Sequence, residues 1–195
     1  MNSEVGIVNI ALARLGESPI QSFEEGSVPA NMAKVFYDPA RRAVLRAYDW
    51  SFSLKTVRLA RLVGEPVDFR FAFSLPSDCL RVIRLRRKGL ADYTDGADIR
   101  FVTRSGVLYS DEEEAYLEYV ADVNDTSLFD DKFVEAFSYK LASDLAMPVK
   151  GSAELMANYM NVFNDLVTRA ATLTEREERS DYGGNPYLEA RYESC

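Results

Sequence analysis

The sequence predicts an α+β protein: a helix bundle built from both chain ends, a small antiparallel β-domain inserted between them, and an extended C-terminal tail. Two observations carry that prediction. Apolar residues recur at helical spacing near the start and again after Asp130, whereas between these stretches the period drops to two. Neither helical stretch has enough apolar surface to stand alone, so the two are expected to share one core. The bundle is assigned to residues 1–53 and 122–179, the β-domain to 54–121 and the arm to 180–195.

The first helix is expected over about residues 4–15, with Ser3 as its N-cap. Val5, Val8, Leu12 and Leu15 share one face, and Gly16 stands where a C-terminal cap belongs. A polar stretch containing Pro19 follows. The second helix starts near Ser27 and Pro29 and places Met32, Val35, Phe36, Ala43, Val44 and Ala47 on one side. Pro39 cannot donate a hydrogen bond to residue 35, so a kink near Asp38 or a split into two helices is expected.

Phe69, Phe71, Phe73 and Leu75 alternate with Arg70, Ala72 and Ser74, the pattern of a half-buried strand. Further strands are expected at 54–59, 80–85, 99–103, 107–109 and 115–120, with turns at Gly64, Gly89, Asp95-Gly96 and Ser105-Gly106. Such short connections imply antiparallel pairing. Helical spacing returns with Phe133, Phe137, Leu141 and Leu145, and Met147-Pro148 stops it. Gly151 and Ser152 then open the longest helix, with Leu155, Tyr159, Val162, Leu166 and Leu173 on one stripe and Met156, Phe163 and Val167 beside it. From Thr174 to Arg179 almost every residue is charged, so the last turns should project into solvent or meet a partner. Gly183-Gly184 and Pro186 break any helix in the tail.

Composition narrows the chemistry. With 195 residues, 47% hydrophobic and 28% charged, the chain has an ordinary globular profile. No apolar run approaches the roughly 20 residues that cross a bilayer, and the apolar start carries Glu4 in place of a cationic leader. Neither a signal peptide nor a membrane span is expected. Cys79, at an apparent strand start, and Cys195 give no disulfide framework and no metal-ligand spacing, which suits a reducing compartment. The chain has no histidine, which removes Ser-His-Asp triads, Cys-His dyads and the commonest zinc and iron ligands. Its net charge of −8 opposes phosphate-led binding of nucleic acid while leaving room for a local basic patch. Carboxylate-pair catalysis stays open, because any acidic chain contains many carboxylate pairs.

Five segments, in order, carry a resemblance. They are IVNIALARLGESPIQSF, FYDPARRAVLRAYDWSF, FRFAFSLPSDCLRVIRL, AYLEYVADVNDTSLFDDKFVEAFSYKLASDLA, and the long helix with its tail. In the second, Tyr37, Pro39, Ala40-Arg41, Leu45-Arg46, Trp50 and Phe52 occupy the matching places, and the third leads into Leu75-Pro76-Ser77-Asp78-Cys79-Leu80-Arg81-Val82. Together they span nearly the whole chain and resemble the tail adaptor proteins of podovirus-type bacteriophages, also called tail tubular protein A or head-completion adaptor proteins. The resemblance implies a helix bundle with an inserted β-domain, assembled as a ring under the portal protein. It implies a C-terminal segment that reaches the portal and an opposite face that receives the tail nozzle. DNA would pass through the channel without specific binding. It implies a virion location at the head-tail junction, after assembly in the host cytoplasm, and brings no catalytic residue, cofactor, metal or membrane. β-domain size varies greatly in this family, so the face toward the nozzle does not carry over by residue.

Several features allow two readings. Trp50 and Phe52 could anchor a partner or pack between bundle and β-domain, and packing is favoured because buried aromatics are commoner than exposed anchors. The stripe Phe69, Phe71 and Phe73 could stack bases, though any half-buried strand alternates in this way. Arg81, Arg84, Arg86, Arg87 and Lys88 form either a contact for phosphate or an acidic partner, or a solvated hairpin neutralised by Asp92, Asp95 and Asp98. Asp111 to Glu114 lacks the pattern of a calcium loop and reads as solvated; facing a channel, it would repel DNA. Tyr182, Tyr187, Leu188 and Tyr192 lie in a stretch unable to form a stable element alone, and such side chains suit docking on a partner, here the portal, or on their own subunit. A wall-degrading carboxylate-pair hydrolase of a virion and a nucleic-acid-binding module are the alternatives. Convergent carboxylates would mark the first and salt-dependent DNA affinity the second.

Overall fold

The computed structural model describes residues 3–64, 66–86 and 99–181, with side chains through residue 172. The described residues form two compact units: those of 38–130 with residues 3–4, and those of 5–37 with residues 131–181. The fold is mixed α+β, as expected, with four helices and two antiparallel sheets among the described residues.

The helices are α1 (Glu4–Arg14), α2 (Val28–Ala47), α3 (Asp131–Leu145) and α4 (Ala153–Asp181). α1 ends as expected, with Gly16 in the left-handed region at φ 66°. Asn9 then ties down the following loop: its Oδ1 accepts from the Ile20 N–H at 2.8 Å and its Nδ2 donates to the Ile20 carbonyl at 3.0 Å. Ser27 caps α2 by accepting from the Ala30 N–H at 3.3 Å. Glu25 in turn accepts from the Ser27 hydroxyl at 2.5 Å, and that bond holds its carboxyl below the ordinary range.

α2 runs unbroken through Pro39, so the expected split does not occur. The proline removes one helical hydrogen bond, but the helix is anchored on both sides of it. Before it, the Tyr37 ring packs on Phe23 and Phe137 at centroid distances of 5.8 and 5.1 Å. After it, Arg41 bonds to Asp38, Asp122 and the Val123 carbonyl. The expected apolar face of α2 is also corrected. Its buried residues are Ala30, Ala33, Tyr37, Ala40, Arg41, Val44 and Leu45, so Val44 alone of the expected set is buried and Val35 is 59% exposed. The helix carries two apolar stripes, and the alanine-rich one lies inside because small side chains allow close approach.

α3 is buried along Phe133, Phe137, Leu141 and Leu145, the four-residue repeat expected from the sequence. It ends in a π-helical turn at Ala146–Lys150, closed by Gly151 at φ 65°. Ser152 then caps α4 through a bond from the Leu155 N–H at 3.2 Å. α4 is the longest helix at 29 residues, but its stripe is less covered than expected. Phe163 is buried, whereas Met156 and Val162 are 40% and 36% exposed. The Tyr159 hydroxyl donates to the Arg14 carbonyl, and the Arg14 guanidinium lies 3.6 Å from the Tyr139 ring centroid. These contacts hold α1, α3 and α4 together within one unit.

The strands are β1 (Leu54–Arg58), β2 (Ala60–Arg61), β3 (Phe71–Ser74), β4 (Cys79–Arg86), β5 (Phe101–Arg104), β6 (Val107–Ser110) and β7 (Tyr116–Ala121). Every expected strand forms, and all pairings are antiparallel. They make two sheets, ordered β1-β7-β4 and β2-β3-β6-β5. Ser105 and Gly106, both at positive φ (49° and 78°), form the tight β5–β6 turn that Ser-Gly signalled. β2 was not expected; two residues show no period.

The chain passes from one sheet to the other at Leu59. Leu59 donates to the Ala115 carbonyl at 2.9 Å, continuing the β1–β7 ladder, and Leu62 donates to the Ala72 carbonyl at 2.8 Å, in the β2–β3 ladder. These residues are an odd number apart, and N–H groups alternate sides along an extended chain. The two ladders therefore lie on opposite sides of this segment. Leu59, Phe73, Leu108, Ala115 and Leu117 are buried near the handover.

Candidate interaction site

Charged side chains stitch the β-containing unit. Arg41 is buried, with Nη1 donating to Asp122 at 2.6 Å and to the Val123 carbonyl at 2.5 Å, while Arg42 engages the other Asp122 oxygen at 2.8 Å. Asp78 accepts from Lys55 at 2.7 Å and from the Tyr119 hydroxyl at 3.0 Å. The Lys55 bond holds the Asp78 carboxyl below its ordinary value against the opposing effect of burial, and Tyr119 adds to the lowering. Burial, then the bond to Asp78, pushes the Tyr119 hydroxyl up to about 12. Cys79 opens β4, as expected, and burial followed by the Asp78 charge raises its thiol.

The arginines of β4 are spoken for. Arg81 pairs with Asp49, and Arg84 and Arg86 converge on Glu118 at 2.6 and 2.5 Å. These charges are thus met by acids the sequence reading did not name; Arg87, Lys88, Asp92, Asp95 and Asp98 lie outside the described residues. The aromatic stripe offers no open platform: Phe69 and Phe73 are buried, and Arg61 lies over the Phe71 ring at 4.1 Å. Trp50 is buried and donates from Nε1 to the Val44 carbonyl at 2.9 Å, the packing role favoured above, and Phe52 rests on Phe129. The acidic run is more than solvated. Asp111 accepts from the Arg70 N–H at 3.0 Å, and Glu114 pairs with Arg58 at 2.8 Å.

An open cleft of about 580 Å³ lies where the two sheets part, lined by Arg58, Leu59, Ala60, Arg61, Phe73, Glu113 and Glu114. Its carboxylates are sequence neighbours, and Glu114 is engaged by Arg58 and by the Tyr116 hydroxyl at 3.3 Å. Among the described residues, the carboxyls of Glu25, Asp78 and Asp125 are lowered from their ordinary values, each by hydrogen bonds it accepts. No local pattern in the sequence marks this cleft, because its lining comes from chain segments far apart.

The expected portal-binding residues Tyr182, Tyr187, Leu188 and Tyr192 lie outside the described residues, as does Cys195. α4 is described through Asp181, immediately before Tyr182. Among the described residues no helix is long and apolar enough to cross a membrane, and no cluster of His, Cys, Asp or Glu has the arrangement of a metal site. The chain matches no protein-family model and no curated protein.

Proposed function

We propose that this chain is a structural adaptor at the head-tail junction of a short-tailed phage virion, forming a ring that binds the portal protein and receives the tail nozzle. One observation carries the reading: five segments that resemble tail adaptors in order fold into helices from both chain ends with sheets between them, and α4 leads directly into an aromatic arm. Tyr182, Tyr187, Leu188 and Tyr192 are the proposed portal contact, and the helical flanks meet neighbouring copies. The net charge of −8 favours a channel that DNA crosses without adhering. The role needs no cofactor and no catalysis. Assembly takes place in the host cytoplasm.

The test is a pull-down with the purified portal protein, combined with light scattering. The free chain is expected to be mainly monomeric at micromolar concentration and to form rings on the portal. Failure to bind the portal overturns the adaptor role. A stable closed ring of pure protein overturns only its dependence on the portal as template.

A further inference from the structure

The cleft beside β2 is an interrupted ladder. Extending the β1–β7 register beyond the Leu59–Ala115 rung would set Arg61 opposite Glu113. That rung does not form, because β2 has turned to β3, where Leu62 bonds to Ala72. By alternation, the N–H and C=O of Arg61 then point away from β3 and toward the cleft. Arg61 and Glu113 both line it, and among the described residues neither side chain has an ion-pair partner. Beside β2, in the connection to β3, Leu62 is 37% exposed and Val63 and Val67 are fully exposed. Val63 stands two residues beyond Arg61, so its exposed side chain follows directly on the free edge of β2.

We propose that this cleft takes an extended segment of a partner protein, which adds as a strand between β2 and the residues preceding β7. Backbone groups of the segment would bond to Arg61 and Glu113, supplying the missing rung. A Lys or Arg on the segment meets the exposed Glu113 carboxylate; Glu114 is already neutralised by Arg58, and Arg61 is already stacked on Phe71. An apolar side chain covers Val63 and Val67. This inference rests on the adaptor reading for the identity of the partner. A connector needs a second binding surface independent of its portal arm, so the partner is the protein seated on the ring distal to the portal.

The experiment uses the full chain with the purified portal and the purified distal tail protein. Glu113→Lys and the double variant Val63→Asp/Val67→Asp are expected to weaken distal binding at least tenfold while leaving portal binding and melting temperature unchanged. In the wild-type complex, exchange of the Arg61 amide should slow at least tenfold, a readout that does not depend on any variant folding. Normal distal binding by both variants, with no slowing at Arg61, overturns the cleft assignment and leaves the adaptor reading standing. Loss of binding without slowing at Arg61 overturns strand addition. If the wild-type chain binds neither protein, the adaptor reading falls and takes this inference with it.

Discussion

The two units are held together by different physics. In the helical unit the buried residues are almost all apolar, and α3 contributes Phe133, Phe137, Leu141 and Leu145 without a charge among them. The β-containing unit also has an apolar core, but it buries Arg41 and ties its β1-β7-β4 sheet and the residues leading into it through Lys55–Asp78, Arg58–Glu114 and the pairing of Glu118 with Arg84 and Arg86. These pairs all lie in or beside the β1-β7-β4 sheet, where charge-assisted bonds of defined geometry help fix the register of neighbouring strands. Apolar packing tolerates exchange of like for like, whereas a charge lattice specifies partners. The helical unit should therefore respond to lost volume and the β-containing unit to lost charge.

The largest effect is expected from Phe137→Ala, which opens a cavity beside Tyr37 and Phe133 and should cost about 3–5 kcal/mol in urea unfolding. A loss below about 1 kcal/mol would break the contrast. Arg41→Ala should cost about 2–3 kcal/mol, because the Val123 carbonyl loses its donor and Asp122 keeps only Arg42. Arg41→Lys should recover less than half of that in thermal unfolding, since one ammonium cannot reach Asp38, Asp122 and Val123 together.

The arm sharpens the comparison by separating binding from stability. Tyr187→Ala and Tyr192→Ala should each weaken portal binding by roughly 2 kcal/mol, measured by calorimetric titration. Truncation after Ser180 should abolish most of that binding yet change stability by less than about 0.5 kcal/mol. Unfolding on truncation, together with normal portal binding by the tyrosine variants, would make the arm a clasp on its own subunit.

Acid and alkali probe the charge lattice. Asp78 is lowered in the folded state, so its contribution is complete above the ordinary value of 3.8 and disappears as pH falls through the folded value. Tyr119 is raised, so its contribution is complete below 10.0 and disappears as pH rises toward about 12. Tyr119→Phe should cost about 1 kcal/mol at neutral pH and flatten the alkaline limb of a stability profile. An unchanged alkaline limb would show that this hydroxyl does not couple to folding.

The fold was legible wherever one period dominated. Phe133 to Leu145 repeats every four residues, Phe71 to Ser74 alternates, and Ser105-Gly106 signals its turn, so each of these elements could be placed from local pattern. α2 misled because Met32, Val35 and Phe36 outweigh the alanines on a hydropathy count, yet Ala30, Ala33 and Ala40 are the ones inside. Pro39 was expected to kink α2 or split it in two, and the anchors that keep it continuous include Phe137 and Asp122, both remote in sequence. The aromatics nominate the tail as a docking segment, and the resemblance alone nominates the portal as its partner. The cleft could not be placed in this way, since Arg61 and Glu113 come to line one space only where the paired strands part.

The handover at Leu59 also bears on how the chain finds its register. A slip of one residue anywhere in 54–62 would reverse the direction of every N–H in that run and face its core side chains outward. Because β1 bonds to one side and β2 to the other, the slip would break both sheets together, and realigning either one would realign the other. The segment works as a parity check. A chain misaligned by one residue gains no half-correct sheet in which to rest, so that slip forfeits the bonds of both sheets at once.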